Sequence, residues 1–187
     1  MTTSDLQQLY QQIILDHAKA RHGSSAEPLA PLADTAAVGP GGLRLAESHQ
    51  VNTTCGDQVT VRVAVGVGVG ATAQEDDGAQ EADGVGEPAV VARIEDLVWC
   101  GDGCSISMAS ASVLSDTVRG TLTRDARAQL DAFREMLRSR GTIEPNEESM
   151  GDAVAFAGVS RYPARVKCAM LPWVAFEAAL LEVESRP

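Results

Sequence analysis

Three cysteines and one aspartate stand in local settings suited to metal or thiol chemistry. Cys55 lies in Asn52-Thr53-Thr54-Cys55-Gly56-Asp57, where Gly56 permits a tight turn that lets Cys55 and Asp57 face one centre. Cys104 lies in Gly101-Asp102-Gly103-Cys104-Ser105-Ile106-Ser107. Two glycines followed by a helical run place this thiol at a helix N-terminus, where free N–H groups and the positive dipole end favour a thiolate. Cys168 closes Arg161-Tyr162-Pro163-Ala164-Arg165-Val166-Lys167-Cys168, and its basic neighbours are expected to lower its pKa. Three sulfurs and a carboxylate oxygen suit a tetrahedral zinc ion. Such a set either staples a fold or carries sulfur chemistry, since the thiolate is both metal ligand and nucleophile. Spacing alone does not choose. The chain has no Cys-x-x-Cys pair, and intervals of 49 and 64 residues match no compact zinc rule. One shared metal site and separate buried cysteines both remain open. Cys100 reads as a packed or free thiol rather than a further ligand.

The elements that must position these residues are legible in part. Leu6, Leu9, Tyr10, Ile13, Ile14 and His17 recur at helical spacing, with Ser4 and Gln7 as a capping box and Gly23 as a stop. His17, on the apolar stripe, reads as a packed histidine; His22 and His49 carry no motif. Residues 24–42 form an irregular connection, and Leu43 to Val51 a first strand broken near Asn52. Valines alternate from Val59 to Val69, the period-2 pattern of a half-buried strand. Residues 70–87 read as a flexible acidic loop, and Ala89 to Trp99 as the returning arm of an antiparallel hairpin. Helices follow: 105–118, then one capped by Thr123 with Ala126, Leu130, Phe133 and Leu137 inward, a short one near 152–157, and a last one carrying Trp173, Phe176, Leu180 and Val183. Strands first and helices after give an α+β sandwich in a single domain spanning 1–187, with the helices on one face of the sheet.

The chain has 187 residues and a net charge of −11, which argues against nucleic acid or an anionic membrane as partner. Six acids and no base lie between Glu75 and Glu87. No targeting signal is read at the N-terminus, so a cytoplasmic protein is expected, where cysteines bind metals or catalyse rather than form disulfides.

The motifs together resemble the SufU branch of the IscU-like (NifU N-terminal-like) iron–sulfur assembly proteins. The resemblance runs through Leu9-Tyr10…Ile14-Leu15-Asp16-His17, Asn52…Cys55-Gly56-Asp57, Gly103-Cys104-Ser105-Ile106-Ser107-Met108-Ala109-Ser110 and Gly158-Val159…Tyr162-Pro163-Ala164-Arg165-Val166-Lys167-Cys168-Ala169. It implies an IscU-like α+β sandwich, with about three antiparallel strands, and one zinc held by Cys55, Asp57, Cys104 and Cys168. It further implies that Cys55 accepts persulfide sulfur from a SufS-type, pyridoxal-phosphate cysteine desulfurase after a partner histidine takes its place on zinc. Arg165 matches a family arginine near the metal, which holds the ligand set or contacts the partner. Lys167 stands where the scaffold branch has a histidine, and residues 120–150 match a helical insertion of the SufU branch. The alternatives are a scaffold on which an iron–sulfur cluster is built and a purely structural zinc domain. Thr53 replaces a proline usual in the family, and Pro172 is expected to kink or restart the last helix.

Overall fold

The computed structural model describes residues 3–32, 40–69 and 90–185. The acidic segment 70–87 lies outside them. Helix α1 covers Thr3–Ala20; strands β1 (Arg44–Val51), β2 (Gln58–Val69) and β3 (Val90–Asp102) follow. Helices α2 (Ser105–Val118), α3 (Thr123–Arg138), α4 (Glu147–Met150) and α5 (Pro163–Ser185) complete the chain, with a 3-10 segment at Gly151–Arg161 before α5. The strands form one antiparallel sheet in the order β1-β2-β3, so the fold is the expected α+β sandwich.

The valine alternation sets the sheet's inner face. Val59, Val61 and Val63 are fully buried and Val65 nearly so, while Val67 beyond them is exposed. Helix α5 packs across β1, β2 and α2, and α1 packs on α2. Phe133 of α3 stacks on Trp173 of α5 at 4.4 Å between ring centroids, and meets Phe156 edge-on at 5.5 Å. These rings join one contiguous buried core.

Several boundaries differ from the sequence reading, each for a physical reason. Strand β3 continues through Cys100, Gly101 and Asp102, because a side chain at Gly101 would lie only 2.3 Å from the Gln58 carbonyl and glycine leaves room for the ladder to close. Helix α1 begins at Thr3, so Ser4 lies inside it and not at its cap. The cap of α3 is Leu122, not Thr123, and gives no side-chain bond. Helix α5 runs through Pro172 without restarting. Pro172 has no N–H for the Cys168 carbonyl, so the helix loses one bond and is held by burial of its neighbours instead.

Small residues let the helices approach closely. Ser107, Ser110, Ser112 and Ser115 of α2 are all buried. Ser110 Oγ donates to the Ala169 carbonyl at 2.6 Å and accepts from Trp173 Nε1 at 3.1 Å. Gly23 has φ +71°, and a Cβ there would lie 2.1 Å from Ser115 Oγ, so glycine is required where the turn after α1 meets α2. The same turn runs along the outer side of β3. Trp99 N–H donates to the Gly23 carbonyl, and Ser25 N–H donates to the Trp99 carbonyl.

Ser110→Ala is expected to leave the buried Trp173 indole N–H without an acceptor. The expected loss is about 1–3 kcal/mol of stability, read as a lower denaturant midpoint at unchanged slope.

Candidate metal centre

The loop between β1 and β2 is closed by Asn52. Its N–H donates to the Asp57 carbonyl at 2.8 Å, and its own carbonyl accepts from Gly56 N–H at 2.8 Å and Cys55 N–H at 3.3 Å. Its side-chain Oδ1 accepts from Thr54 N–H at 3.1 Å, an Asx turn that holds the loop with Thr53 in the place of proline. Gly56 takes φ +80°, and this sharp step exposes Cys55 while burying Asp57.

Asp57 reaches the start of α2, whose N-cap is Cys104 as the sequence predicts. Asp57 Oδ1 accepts from Cys104 N–H at 3.2 Å, and Oδ2 accepts from Ser107 Oγ at 2.8 Å. Gly103 makes the approach possible, since a Cβ there would stand 2.8 Å from the Asp57 carboxyl carbon. Burial works to raise the Asp57 pKa, but the hydrogen bonds from Ser107 and Cys104 outweigh it and hold the carboxyl below its ordinary value.

Cys168 is buried on the second turn of α5, and its Sγ lies 3.7 Å from Cys55 Sγ and 3.7 Å from Asn52 Nδ2. Cys55 Sγ, Cys168 Sγ and an Asp57 oxygen all lie within 4.8 Å of one another. Cys104 does not join that close group; its Sγ is 3.6 Å from Ser107 Oγ at the rim. The expectation of a depressed Cys168 pKa is overturned. Burial, then the hydrogen bond with Cys55, the charge of Cys104 and the Asp57 carboxylate push the thiol far up. The basic residues do not counter this. Arg161, Arg165 and Lys167 are exposed, and the Arg165 guanidinium lies over the Tyr162 ring at 5.2 Å.

The donor set fits zinc. Two Zn–S bonds of about 2.3 Å at a tetrahedral angle put the sulfurs about 3.8 Å apart, and Cys55 and Cys168 stand at 3.7 Å. A divalent cation would also offset the burial and the neighbouring anions that keep Cys168 protonated, because its charge stabilises the thiolate directly. Cys55, Asp57 and Cys168 would hold the ion, and Cys104, expected from the sequence as a fourth donor, lies outside that close group. Cys100 lies outside the group, on β3 opposite Thr60. Beside the centre opens a cleft of about 910 Å³, lined in part by Tyr10, Ile14, Ser105, Ile106, Tyr162 and Arg165.

Residues 89–169 match the NifU-like N-terminal domain family. A curated relative, an IscU scaffold protein for iron–sulfur cluster assembly from Streptococcus pyogenes serotype M1, is 31% identical over 181 residues, covering 96% of this chain and 87% of its own. The chain is a SufU-type member of the IscU/NifU-like family. The zinc-dependent sulfurtransferase SufU of Bacillus subtilis (strain 168) is 28% identical, covering 97% of this chain and 95% of its own. A solved structure described as a putative iron–sulfur cluster assembly scaffold protein for the SUF system, from Fervidobacterium islandicum AW-1, superposes with a TM-score of 0.56 at 25% identity. It covers 90% of this chain and 94% of that one. This SufU-type chain therefore takes part in iron–sulfur cluster assembly.

Sequence reasoning gave no role to Asn52 and Ser107, which organise this SufU-type centre from behind the donors. The signal for Asn52 was present in its place three residues before Cys55, and for Ser107 in its place one helical turn after Cys104.

Two outcomes are expected. Ser107→Ala removes a donor to Asp57 and should weaken zinc binding about 10–100-fold, measured by competition with a chromophoric chelator. Zinc uptake by the metal-free protein should release protons, because Cys168 is protonated at neutral pH and must bind as thiolate. The apparent affinity should then rise with pH, roughly tenfold per unit for each proton released. Calorimetry in buffers of different ionisation enthalpy counts those protons.

Proposed function

We propose that this chain accepts sulfur from a pyridoxal-phosphate cysteine desulfurase on Cys55 and passes it on for iron–sulfur cluster assembly. The observation that carries the reading is the inequality of the donors. Cys55 and Cys104 are both exposed, whereas Asp57 and Cys168 are buried. Cys104 is held as the N-cap of α2, so Cys55, on a short turn, is the donor freest to leave. An acceptor must reach a partner's sulfur, and the remaining donors must survive its departure. Bound zinc would supply the positive charge that keeps the thiols ionised at neutral pH.

The transfer is an exchange reaction. Cys55 Sγ, as thiolate, attacks the outer sulfur of the desulfurase persulfide. The new S–S bond forms at Cys55, the old one breaks, and the desulfurase cysteine leaves as thiolate. The proton on the outer sulfur travels with it, and no external oxidant or reductant is needed.

The relatives named as IscU scaffolds support a second reading, in which the cysteines ligate iron during cluster assembly. Lys167 weighs against it. An ammonium side chain donates only and cannot act as the imidazole of a scaffold site would. The name of the Bacillus relative supports the zinc-dependent reading. Reduced thiols of this kind suit the cytoplasm. Among the described residues no helix is long and apolar enough to cross a membrane.

Cys55→Ala is expected to abolish stimulation of desulfurase turnover, and intact-mass analysis should no longer find the added sulfur atom on this chain. Full stimulation by the variant would overturn the acceptor role.

A further inference from the structure

Well away from the thiols, three elements bring two histidines and an aspartate together. Asp116 sits twelve residues beyond Cys104 along α2, about 18 Å at the helical rise. His17, near the end of α1, is 6% exposed. Its Nε2 lies 3.0 Å from Asp152 Oδ2 and its Nδ1 lies 2.9 Å from Ser112 Oγ. A carboxylate only accepts, so Nε2 donates to Asp152, and Nδ1 is the ring nitrogen that faces Ser112 and Asp116.

His22 follows in the turn after α1, and its backbone is pinned at both ends. Its N–H donates to Ser112 Oγ at 2.9 Å, and its carbonyl accepts from Trp99 Nε1 at 2.7 Å. Its Nδ1 lies 2.5 Å from Asp116 Oδ2, which is 4.0 Å from His17 Nδ1. One donor atom from each of His17, His22 and Asp116 thus lies within 4.8 Å of the other two.

We propose that His17, His22 and Asp116 form a second site, for a divalent first-row metal ion, separate from the thiol centre. Two imidazoles and one carboxylate with positions left open suit Fe(II), Ni(II) or Zn(II) rather than calcium or magnesium. Asp152 holds the far nitrogen of His17, the arrangement in which a carboxylate orients a ligating histidine. Packing accounts for His17 with Ser112 and Asp152. The His22–Asp116 ion pair in turn sets its carboxylate 4.0 Å from His17 Nδ1, which brings all three donors to one point.

The adjustment needed is small. Ligand bonds of about 2.1 Å put tetrahedral neighbours about 3.4 Å apart. The His22–Asp116 pair opens by about 1 Å and Asp116 draws nearer His17 by about half that. The side chains that move are 50% and 49% exposed, while His17 stays fixed. The metal takes the place of the direct contact between His22 and Asp116. The Ser112 hydroxyl then turns to a carbonyl one turn back in its own helix.

The test uses the full chain with its thiol centre loaded with zinc, titrated with Ni(II) by calorimetry. One further equivalent is expected. His22→Ala and Asp116→Asn should each weaken it at least tenfold, leaving bound zinc and far-UV circular dichroism unchanged. Both positions are half-exposed, so the variants fold where a His17 variant need not. Co(II) added to the zinc-loaded protein should bind without a sulfur charge-transfer band. Absence of the further equivalent, its survival in either variant, or a sulfur band on cobalt would overturn the proposal.

Discussion

One carboxylate fixes the geometry of the thiol centre. Asp57 leaves the β1–β2 loop and accepts hydrogen bonds from the first turn of α2. That contact joins the two segments that deliver Cys55 and Cys104, which are otherwise remote in sequence. Charge and position reinforce each other, since an anion is favoured where the helix presents unpaired N–H groups. The strain-free approach depends on Gly103, because any side chain there would occupy the space of the Asp57 carboxyl.

The third sulfur is brought by packing rather than by hydrogen bonding. Helix α5 lies on β1 and β2 because the valine face of the sheet and the Trp173–Phe176–Leu180 stripe are both apolar. Its early turns are then carried over the β1–β2 loop, and Cys168 meets Cys55. The bond from Trp173 to Ser110 locks α5 against α2. The core therefore decides the distance between the Cys55 and Cys168 sulfurs, and the loop turns Cys55 toward solvent.

Much of this was legible in the sequence. The limits of α2 were written in Gly103-Cys104 and Gly120, and the sheet face in the valine alternation, because these signals are local. The end of β3 was not, since the strand pattern stops at Trp99 and the pairing of Gly101 and Asp102 shows only once Val59 and Gln58 stand opposite them. The charge state of Cys168 was misread for a related reason. Nearby basic residues in the chain need not be nearby in space, and here they point to solvent while the donors of the centre surround the thiol. The links from His17 to Ser112 and Asp152 span 95 and 135 residues, beyond the reach of any spacing rule.

The turn after α1 has a further effect through its bonds to Trp99. A sheet edge with bare N–H and carbonyl groups is a template for pairing with another chain. Residues 23–25 occupy such groups on the outer side of β3 at Trp99. The bridge between Arg93 and Leu122 does the same further along. Covering that margin blocks edge-to-edge pairing there, so shortening the turn would trade a covered strand edge for a sticky one.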